Sequence, residues 1–354
     1  MHLPLGMHFK ALKYALPLVV YIGAWFSFTS RGWVIYLPII YAFVFIPLVE
    51  LWLKPNPANL DAAEEAVARR EWLYNVLLYA IVPMQYLALW WFLQSVQQPG
   101  LQGWEVAGRI AVMGLLCGSF GINVGHELGH RGTWYEQWMA KALLLTSLYT
   151  HFFIEHNKGH HKHVSTPTDP SSAPRGMSLY RFWVRSITGV YLGAWHIAAS
   201  DAKKAGLAAL HLKNEMVQLQ LITLLWVAAI GWWWGPAVLG YYALAALLGI
   251  LLLETVNYIE HYGLSRKPTG LGSFERARPV HSWNSNHILG RLMLFELSRH
   301  SDHHYLASRP YQILRHHEEA PQLPTGYPGS MLLATLPPLW FKVMHRQMVK
   351  QGVG

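Results

Sequence analysis

Charged residues are scarce in this chain of 354 amino acids. Only 13% of the residues are Asp, Glu, Lys or Arg, while 53% are hydrophobic. A soluble domain carries about 25% charged residues. The composition therefore excludes an ordinary soluble protein and is typical of a protein that lies largely within a membrane.

Cysteine is nearly absent, because Cys117 is the only one in the sequence. A single cysteine excludes an intramolecular disulfide and a zinc site built on several thiolates. It also excludes an iron–sulfur domain of the kind that uses cysteine ligands throughout. Any electron donor that the protein uses must therefore be another protein.

Two further features are missing. No small-residue cleavage site follows the first apolar run, so we expect this run to remain as a membrane anchor. The basic residues give a formal net charge of +9 but are scattered along the chain. Because they form no stripe, nucleic-acid binding is not predicted, and loops beside anionic lipid are the simpler interpretation.

What the chain does contain is a series of long apolar runs. Six of them are long enough, or nearly so, to cross a hydrocarbon layer of roughly 30 Å. They predict an all-α, polytopic membrane protein with six transmembrane helices, forming a single domain over residues 1–354. The runs cover residues 14–28, 33–52, 72–93, 106–124, 217–234 and 237–259.

The distribution of basic residues predicts the orientation of these helices. The links after the first, third and fifth runs contain one basic residue, Arg31, and Arg109 near the start of the fourth run is the other exception. Nearly all remaining Lys and Arg lie in the other links and at the ends of the chain. By the positive-inside rule, both termini are cytosolic, and residues 126–213 and 260–354 form a helical cytosolic cap.

Nine of the 20 histidines fall into four clusters that all lie on the predicted cytosolic side. Spacings of three and four place side chains on one face of a helix, so each cluster should project several nitrogens in one direction. Neutral imidazole suits iron, copper, zinc or nickel. We therefore predict one metal centre, with two ions that share the nine imidazoles. The clusters comprise His126 and His130; His156, His160 and His161; His261; and His300, His303 and His304.

Polar residues near these clusters are candidates to orient the imidazoles, because a ligating histidine usually donates its other N–H to a carboxylate or carbonyl. The alternative is that they are solvated or salt-bridged. The candidates are Asn123, Glu254, Asn257, Glu260 and Asp302. We expect the other eleven histidines, including His163 and the N-terminal His2 and His8, to be mainly surface or packing residues.

The sequence motifs around the clusters resemble those of the integral-membrane alkane 1-monooxygenases. This family lies within the wider histidine-box superfamily of fatty-acid desaturases and hydroxylases. The six-helix layout agrees, so the resemblance covers nearly the whole chain. The matching motifs are Asn123-x-x-Gly125-His126-Glu-Leu-Gly-His130-Arg131, His156-Asn-x-Gly-His160-His161, Asn257-Tyr-Ile-Glu-His261-Tyr-Gly-Leu264, and Arg299-His300-Ser-Asp-His303-His304 followed by Arg309-Pro-Tyr-Gln312.

This resemblance implies a non-haem di-iron monooxygenase that uses O2 to hydroxylate the terminal carbon of n-alkanes. It implies that the nine clustered histidines hold two iron ions, with no haem or flavin in the chain. It also implies a bacterial inner-membrane location and electrons from NADH through a reductase and a rubredoxin. Some relatives carry a fused rubredoxin. Residues 1–354 contain none, so either the rubredoxin is a separate protein or a fused one lies beyond residue 354.

Two other functions remain open at this point. A membrane desaturase or hydroxylase of fatty-acyl chains would use the same metal chemistry, and a histidine-rich metal transporter would place its sites near the bilayer midplane. For an alkane substrate, we expect an apolar channel between the helices. The candidates to line it are Tyr36, Tyr41, Phe43 and Phe45 on the second run and Leu251 and Leu252 on the sixth, although each of them is also explained as a lipid-facing or packing residue.

Overall fold

The computed structural model describes residues 10–270 and 272–353, so His2 and His8 lie outside the described residues. The described chain is mostly helical with almost no sheet, which confirms the predicted all-α class. Six of its helices are long and apolar enough to cross a membrane, and we number them spans 1 to 6. They run over Lys10–Thr29, Gly32–Trp52, Trp72–Ser95, Gly103–Gly129, Glu215–Trp234 and Pro236–His261.

The remaining elements connect these spans, mostly at the end where spans 2, 4 and 6 finish. The linking helix between spans 2 and 3 begins with a capping box in which Asp61 and Glu64 bond to each other's backbone N–H. A two-stranded antiparallel hairpin pairs Pro268–Gly270 with Ser273–Phe274. The helices are Ala62–Arg70, Trp134–Thr146, Phe152–Glu155, His161–His163, Leu179–Lys204, Ile288–Met293, His300–Tyr305, Tyr327–Ala334 and Pro337–Gln351.

Short 3-10 and π-helical turns complete the secondary structure. The 3-10 turns are Lys13–Ala15, Gly32–Tyr36, Pro279–His281 and Tyr311–Ile313. The π-helical turns are Tyr41–Phe45, Cys117–Ile122 and His156–His160. The π-helical turns widen a helix locally and often occur at functional sites.

Spans 4 and 6 pack against each other at the centre of the bundle. A Cβ atom on Gly118 would lie 2.8 Å from the carbonyl oxygen of Gly249, and one on Gly249 would lie 2.5 Å from the Cβ of Cys117. The two backbones therefore approach each other as closely as glycine permits. This packing brings together the ends of the two helices, which carry His126 and His261.

The apolar segment after span 4 adds no further span among the described residues. Trp134–Thr146 forms a helix, after which the chain turns through Leu148 with a φ of 52°. This helix lies against the end of span 4, because a Cβ on Gly125 would be 3.1 Å from the side chain of Leu144. It therefore supports the histidine-bearing end of the bundle from one side.

Arg109, the basic residue that did not fit the charge pattern, is fully buried near the start of span 4. Its guanidinium donates hydrogen bonds to the carbonyl oxygens of Ser95, at 2.6 Å, and Ser30, at 2.8 Å. Both carbonyls lie at the ends of neighbouring spans. The charge is thus bound by protein oxygens that tie the helix ends together, which explains a basic residue at this end of the bundle.

Candidate metal centre

The nine predicted histidines come together at one end of the bundle and divide into two groups. Within each group one nitrogen of every imidazole lies within 4.8 Å of all the others. Either group could hold a metal ion, as the sequence predicted for the nine residues as a set. The five-histidine group contains His126, His130, His156, His161 and His303, and the four-histidine group contains His160, His261, His300 and His304.

The second histidine cluster is divided between the two groups, which corrects the expectation that each cluster projects in one direction. His156 and His161 belong to the five-histidine group, whereas His160 belongs to the four-histidine group. The π-helical turn His156–His160 lies between them. Because this turn is wider than an α-helical one, the residue five positions after His156 comes closer to its face than it would in an α-helix, so His161 can join His156.

The last cluster is divided in the same way, but on a regular helix. His300 and His304, four residues apart, share a face and enter the four-histidine group. His303 lies about 100° around the helix axis from His304 and enters the five-histidine group. The short helix His300–Tyr305 therefore contributes histidines to both groups.

The ring nitrogens in the five-histidine group are arranged as ligands of a common ion. The Nε2 atom of His161 lies 3.0 Å from the Nε2 atoms of both His156 and His303. The Nε2 of His303 is also 2.8 Å from that of His126, and the Nε2 of His156 is 3.1 Å from that of His130. A neutral ring nitrogen can make only one hydrogen bond, so hydrogen bonds cannot satisfy all these contacts. Ligands at right angles around an ion with metal–nitrogen bonds of 2.0–2.1 Å would be about 3 Å apart.

The four-histidine group shows the same convergence. The Nε2 of His300 lies 3.2 Å from that of His261 and 2.9 Å from that of His304. The Nε2 of His160 is buried and has no hydrogen-bond partner among the described residues. A cation would satisfy each of these nitrogens.

Burial keeps most of these imidazoles neutral, as metal binding requires. Burial lowers the pKa of His130 to about 3. It also lowers the pKa values of the other members that lie outside the spans well below the ordinary value, with neighbouring histidines adding to the effect; these are His156, His161, His300, His303 and His304. Their lone pairs are thus available at neutral pH.

His160 is the exception, because it has an anionic partner. Burial would lower its pKa, but the adjacent Asp169 carboxylate outweighs this effect and raises it. The Nδ1 of His160 lies 2.9 Å from Asp169 Oδ2. An N–H at Nδ1 that donates to this carboxylate leaves the Nε2 lone pair directed toward the four-histidine group.

Sequence reasoning missed Asp169. The carboxylate is fully buried and also accepts hydrogen bonds from the Ser172 hydroxyl, at 2.5 Å, and the Ser171 backbone N–H, at 3.0 Å. It lies in the Pro- and Ser-rich loop after the second cluster, where helical spacing gives no guidance. The available signal was that Asp169 is the only acidic residue in that loop.

Glu260 is the one predicted orienting residue that touches the clustered histidines directly. Its Oε2 lies 3.1 Å from the Nε2 of His300, and its Oε1 accepts a hydrogen bond of 2.7 Å from the Tyr327 hydroxyl. Since this nitrogen is the one that faces the other imidazoles, the carboxylate lies beside the four-histidine group itself. It is therefore positioned to orient His300.

The other four predicted orienting residues have different hydrogen-bond partners. Asn123 donates to the carbonyl of Leu294, and Asn257 donates to Glu254. Glu254 accepts from Tyr149 and Ser186, and Asp302 is bound to Arg309 and His317. These residues are buried around the two groups, and their hydrogen bonds anchor neighbouring segments of the chain.

A narrow apolar cavity of about 70 Å³ lies between the spans. Asn123 and Val256 are two of its lining residues, and each lies about one helical turn before a residue of the candidate centre, His126 and Glu260 respectively. Part of the cavity lining therefore lies about one helical turn from the candidate centre. Its lining consists of Val20, Ala42, Phe43, Ile46, Leu115, Gly118, Ser119, Phe120, Asn123, Leu252, Leu253, Val256, Gly290, Met293, Leu294, Leu297, Pro328 and Met331.

The predicted channel residues are placed differently. Phe43 and Leu252 line the cavity. Tyr41 and Phe45 stack on each other with ring centres 5.5 Å apart, and half of the Phe45 side chain is exposed. Neither is among the described residues that line the cavity, where span 2 instead contributes Phe43 and its neighbours.

Six membrane-spanning helices with two buried groups of histidines at one end define an integral membrane protein of the histidine-box class. A family model described as "Fatty acid desaturase" matches residues 102–331. The chain is 38% identical over 346 residues to the alkane 1-monooxygenase of Ectopseudomonas oleovorans, which covers 96% of this chain and 84% of the relative. It is 39% identical over 356 residues to alkane 1-monooxygenase 2 of Pseudomonas aeruginosa, which covers 96% of this chain and 92% of the relative.

A more distant relative is the xylene/toluene monooxygenase hydroxylase component XylM of Pseudomonas putida, which is 30% identical over 252 residues, with 70% of this chain and 65% of the relative covered. The chain belongs to the alkane 1-monooxygenase family, within the broader group described by the desaturase model, which confirms the resemblance found in its motifs.

Proposed function

We propose that the protein is a non-haem di-iron monooxygenase that hydroxylates the terminal carbon of n-alkanes. The observation that carries this proposal is the convergence of nine histidine nitrogens into two buried groups beside an apolar cavity. Membership of the alkane 1-monooxygenase family supports the choice of an alkane substrate. Iron is proposed because imidazole is among the ligands that suit it and because the resemblance to the membrane alkane 1-monooxygenases implies it.

The reaction consumes one alkane, one O2, two electrons and two protons, and yields one primary alcohol and one water. Bound iron would supply the activation of O2. The protein's own residues would hold the ions through neutral imidazoles and keep His160 in the correct tautomer through Asp169. Their burial would keep water away from the reacting carbon.

An alkane partitions into the bilayer, so the substrate should reach the cavity from the lipid side. A second apolar pocket of about 320 Å³ opens on the outer surface of the bundle. It shares Phe43, Leu252 and Met331 with the 70 Å³ cavity, so these three side chains lie in the wall between them. A narrow passage here would admit only the end of a chain, which would favour attack at the terminal carbon.

Substitution of Leu252 with tryptophan is expected to shorten the range of accepted alkanes. The larger side chain would fill part of the 70 Å³ cavity, and overpacking of this kind is costly. We expect the ratio of dodecane to hexane turnover to fall at least about tenfold, since several methylene contacts worth about 1 kcal/mol each would be lost. Competition assays with mixed alkanes measure this ratio.

Leu247 provides a matched control on the same helix, because its side chain is exposed on the outer surface. Leu247→Trp should leave the ratio of dodecane to hexane turnover within about twofold of the wild-type value. An equal change in both variants would mean that the cavity does not set the chain length.

We further propose that a separate rubredoxin, reduced by an NADH-dependent reductase, docks on the histidine end of the bundle. In the proposed inner-membrane orientation, with both termini cytosolic, this end faces the cytosol. Four basic residues near the histidine clusters, Arg131, Lys158, Lys162 and Arg175, are the candidates to contact the donor. Arg131 and Lys158 are paired with Glu127 and Asp201. The exposed Lys162 and Arg175 are therefore the better candidates to meet an acidic donor.

Charge reversal at Lys162 is expected to raise the KM for rubredoxin about five- to tenfold at low salt, because like charges would then face each other. The effect should largely disappear at about 0.5 M salt, where exposed charges are screened. Lys350→Glu, at the exposed end of the last helix, is the control. A salt-independent KM in the wild-type protein would contradict electrostatic docking.

The substrate and the metal are tested together on the purified protein. Gas chromatography should find 1-octanol after incubation with octane, O2 and the reduced donor, and metal analysis should find about two iron ions per chain. The family model favours one alternative, a desaturase or hydroxylase of fatty-acyl chains. Turnover of an acyl substrate but not of octane would support that alternative, and labile zinc without iron would contradict both.

A further inference from the structure

Glu50 is a buried carboxyl group near the end of span 2, outside both histidine groups. It is 4% exposed, and its Oε1 accepts a hydrogen bond of 2.7 Å from the backbone N–H of Gly290. Its Oε2 is buried and has no hydrogen-bond partner among the described residues. An unpartnered buried oxygen is costly unless a ligand or water satisfies it.

The carboxyl group lies in the wall between two spaces. On one side is the apolar cavity, whose lining includes Gly290 and Ile46, the residue one helical turn before Glu50. On the other side is an open cleft of about 480 Å³ that is lined by Glu50 itself and by Gly326. A Cβ on Gly326 would lie 1.9 Å from Glu50 Oε2, so the glycine leaves room for the carboxyl group.

The two spaces differ in polarity and in position. The lining of the cavity is almost entirely apolar, whereas the cleft is lined by Lys54, His287 and Thr325 in addition to apolar residues. Glu50 lies at the end of the bundle that carries the histidines, because spans 2, 4 and 6 all finish there. The cleft is thus a partly polar opening at the end of the bundle that carries the histidines.

We propose that Glu50 binds the hydroxyl group of the primary alcohol product and marks its route from the cavity to the cleft. The inference rests on the proposed alkane hydroxylation. A hydroxyl can both donate to and accept from a carboxyl group, so it satisfies Oε2 in either protonation state. An alkane has no such group and gains nothing from this site, so the carboxyl distinguishes product from substrate.

Product inhibition tests this assignment. In Glu50→Met, the ratio of the inhibition constant for 1-octanol to the KM for octane should rise about tenfold, which is the effect of losing one hydrogen bond to a charged group. Glu50→Gln keeps an acceptor for the Gly290 N–H and a polar atom for the alcohol, so we expect a smaller rise of about twofold to fourfold. Because Glu50→Gln keeps the contact with Gly290, a rise in this variant cannot be attributed to misfolding.

Glu105→Gln is the matched control, because Glu105 is also buried and its two oxygens accept hydrogen bonds from the backbone N–H groups of Gly32 and Gln102 at the opposite end of the bundle. Its ratio should stay within about twofold of the wild-type value. An unchanged ratio in Glu50→Met, or an equal rise in Glu105→Gln, would overturn the assignment.

A binding measurement separates this inference from the proposed function. Added 1-octanol should raise the melting temperature of the wild-type protein more than octane does, and Glu50→Met should abolish the difference. If the wild-type protein hydroxylates octane but shows no such difference, the Glu50 site is wrong and the proposed function stands. If it forms no octanol from octane, the proposed function itself fails.

Discussion

Alanine substitution of His304 is expected to remove one of the two proposed iron ions and to lower alkane hydroxylation more than about a hundredfold. Loss of a partner behind a ligand typically costs 10–100-fold, so loss of the ligand itself should cost more. The neighbouring His303→Ala should remove the other ion, because the two side chains enter different groups. Metal analysis and initial rates measure both effects.

The adjacent positions make this pair informative. Both substitutions lie on the helix His300–Tyr305, and each replaces a histidine with alanine. Differences between the two variants therefore report on the two histidine groups and not on folding. His163→Ala is the control, since His163 follows the second cluster, belongs to neither group and contacts Thr168. Full iron content and activity in either His303→Ala or His304→Ala would contradict the proposed division of ligands.

The fold could be predicted from the sequence because the bilayer imposes a strong local signal. Each of the six apolar runs corresponds to a candidate span, and the ends differ by a few residues. The largest difference is at span 4, where the helix continues past residue 124 to Gly129 and includes His126. An apolar run ends where polar residues begin, but a helix continues as long as its backbone hydrogen bonds do, so polarity alone places this end too early.

The site could be predicted only as a set of residues. The nine histidines were found from their number and spacing, but their division between the groups depends on the π-helical turn at His156–His160 and on tertiary packing. Asp169 was missed because a loop carries no helical periodicity that could direct it to His160. On span 2 the cavity is lined by the candidate Phe43, whereas Tyr41 and Phe45, which belong to the same π-helical turn, are not among the described residues that line it.

Replacing Asp169 with asparagine is expected to weaken metal binding by the four-histidine group about 10- to 100-fold and to lower kcat by a similar factor. Asp169 Oδ2 faces His160 Nδ1 and the Ser172 hydroxyl, while Oδ1 accepts the Ser171 backbone N–H. An asparagine must place its NH2 group at one of these two positions. Either orientation brings N–H groups toward each other, so the side chain must turn or His160 must change its tautomer. In the changed tautomer, Nε2 carries the proton and cannot bind a metal.

The effect of Asp169→Asn should be confined to one ion, because His160 belongs to the four-histidine group only. Dialysis against a graded series of chelator concentrations should therefore release one iron ion earlier than in the wild-type protein. In a His160→Ala background, adding Asp169→Asn should lower kcat by less than a further factor of about two, since the two residues act through one contact. Asp201→Asn, which removes an exposed partner of Lys158, is the control. Independent, additive losses from His160→Ala and Asp169→Asn would show that the carboxylate acts on the centre by some route other than the imidazole it contacts.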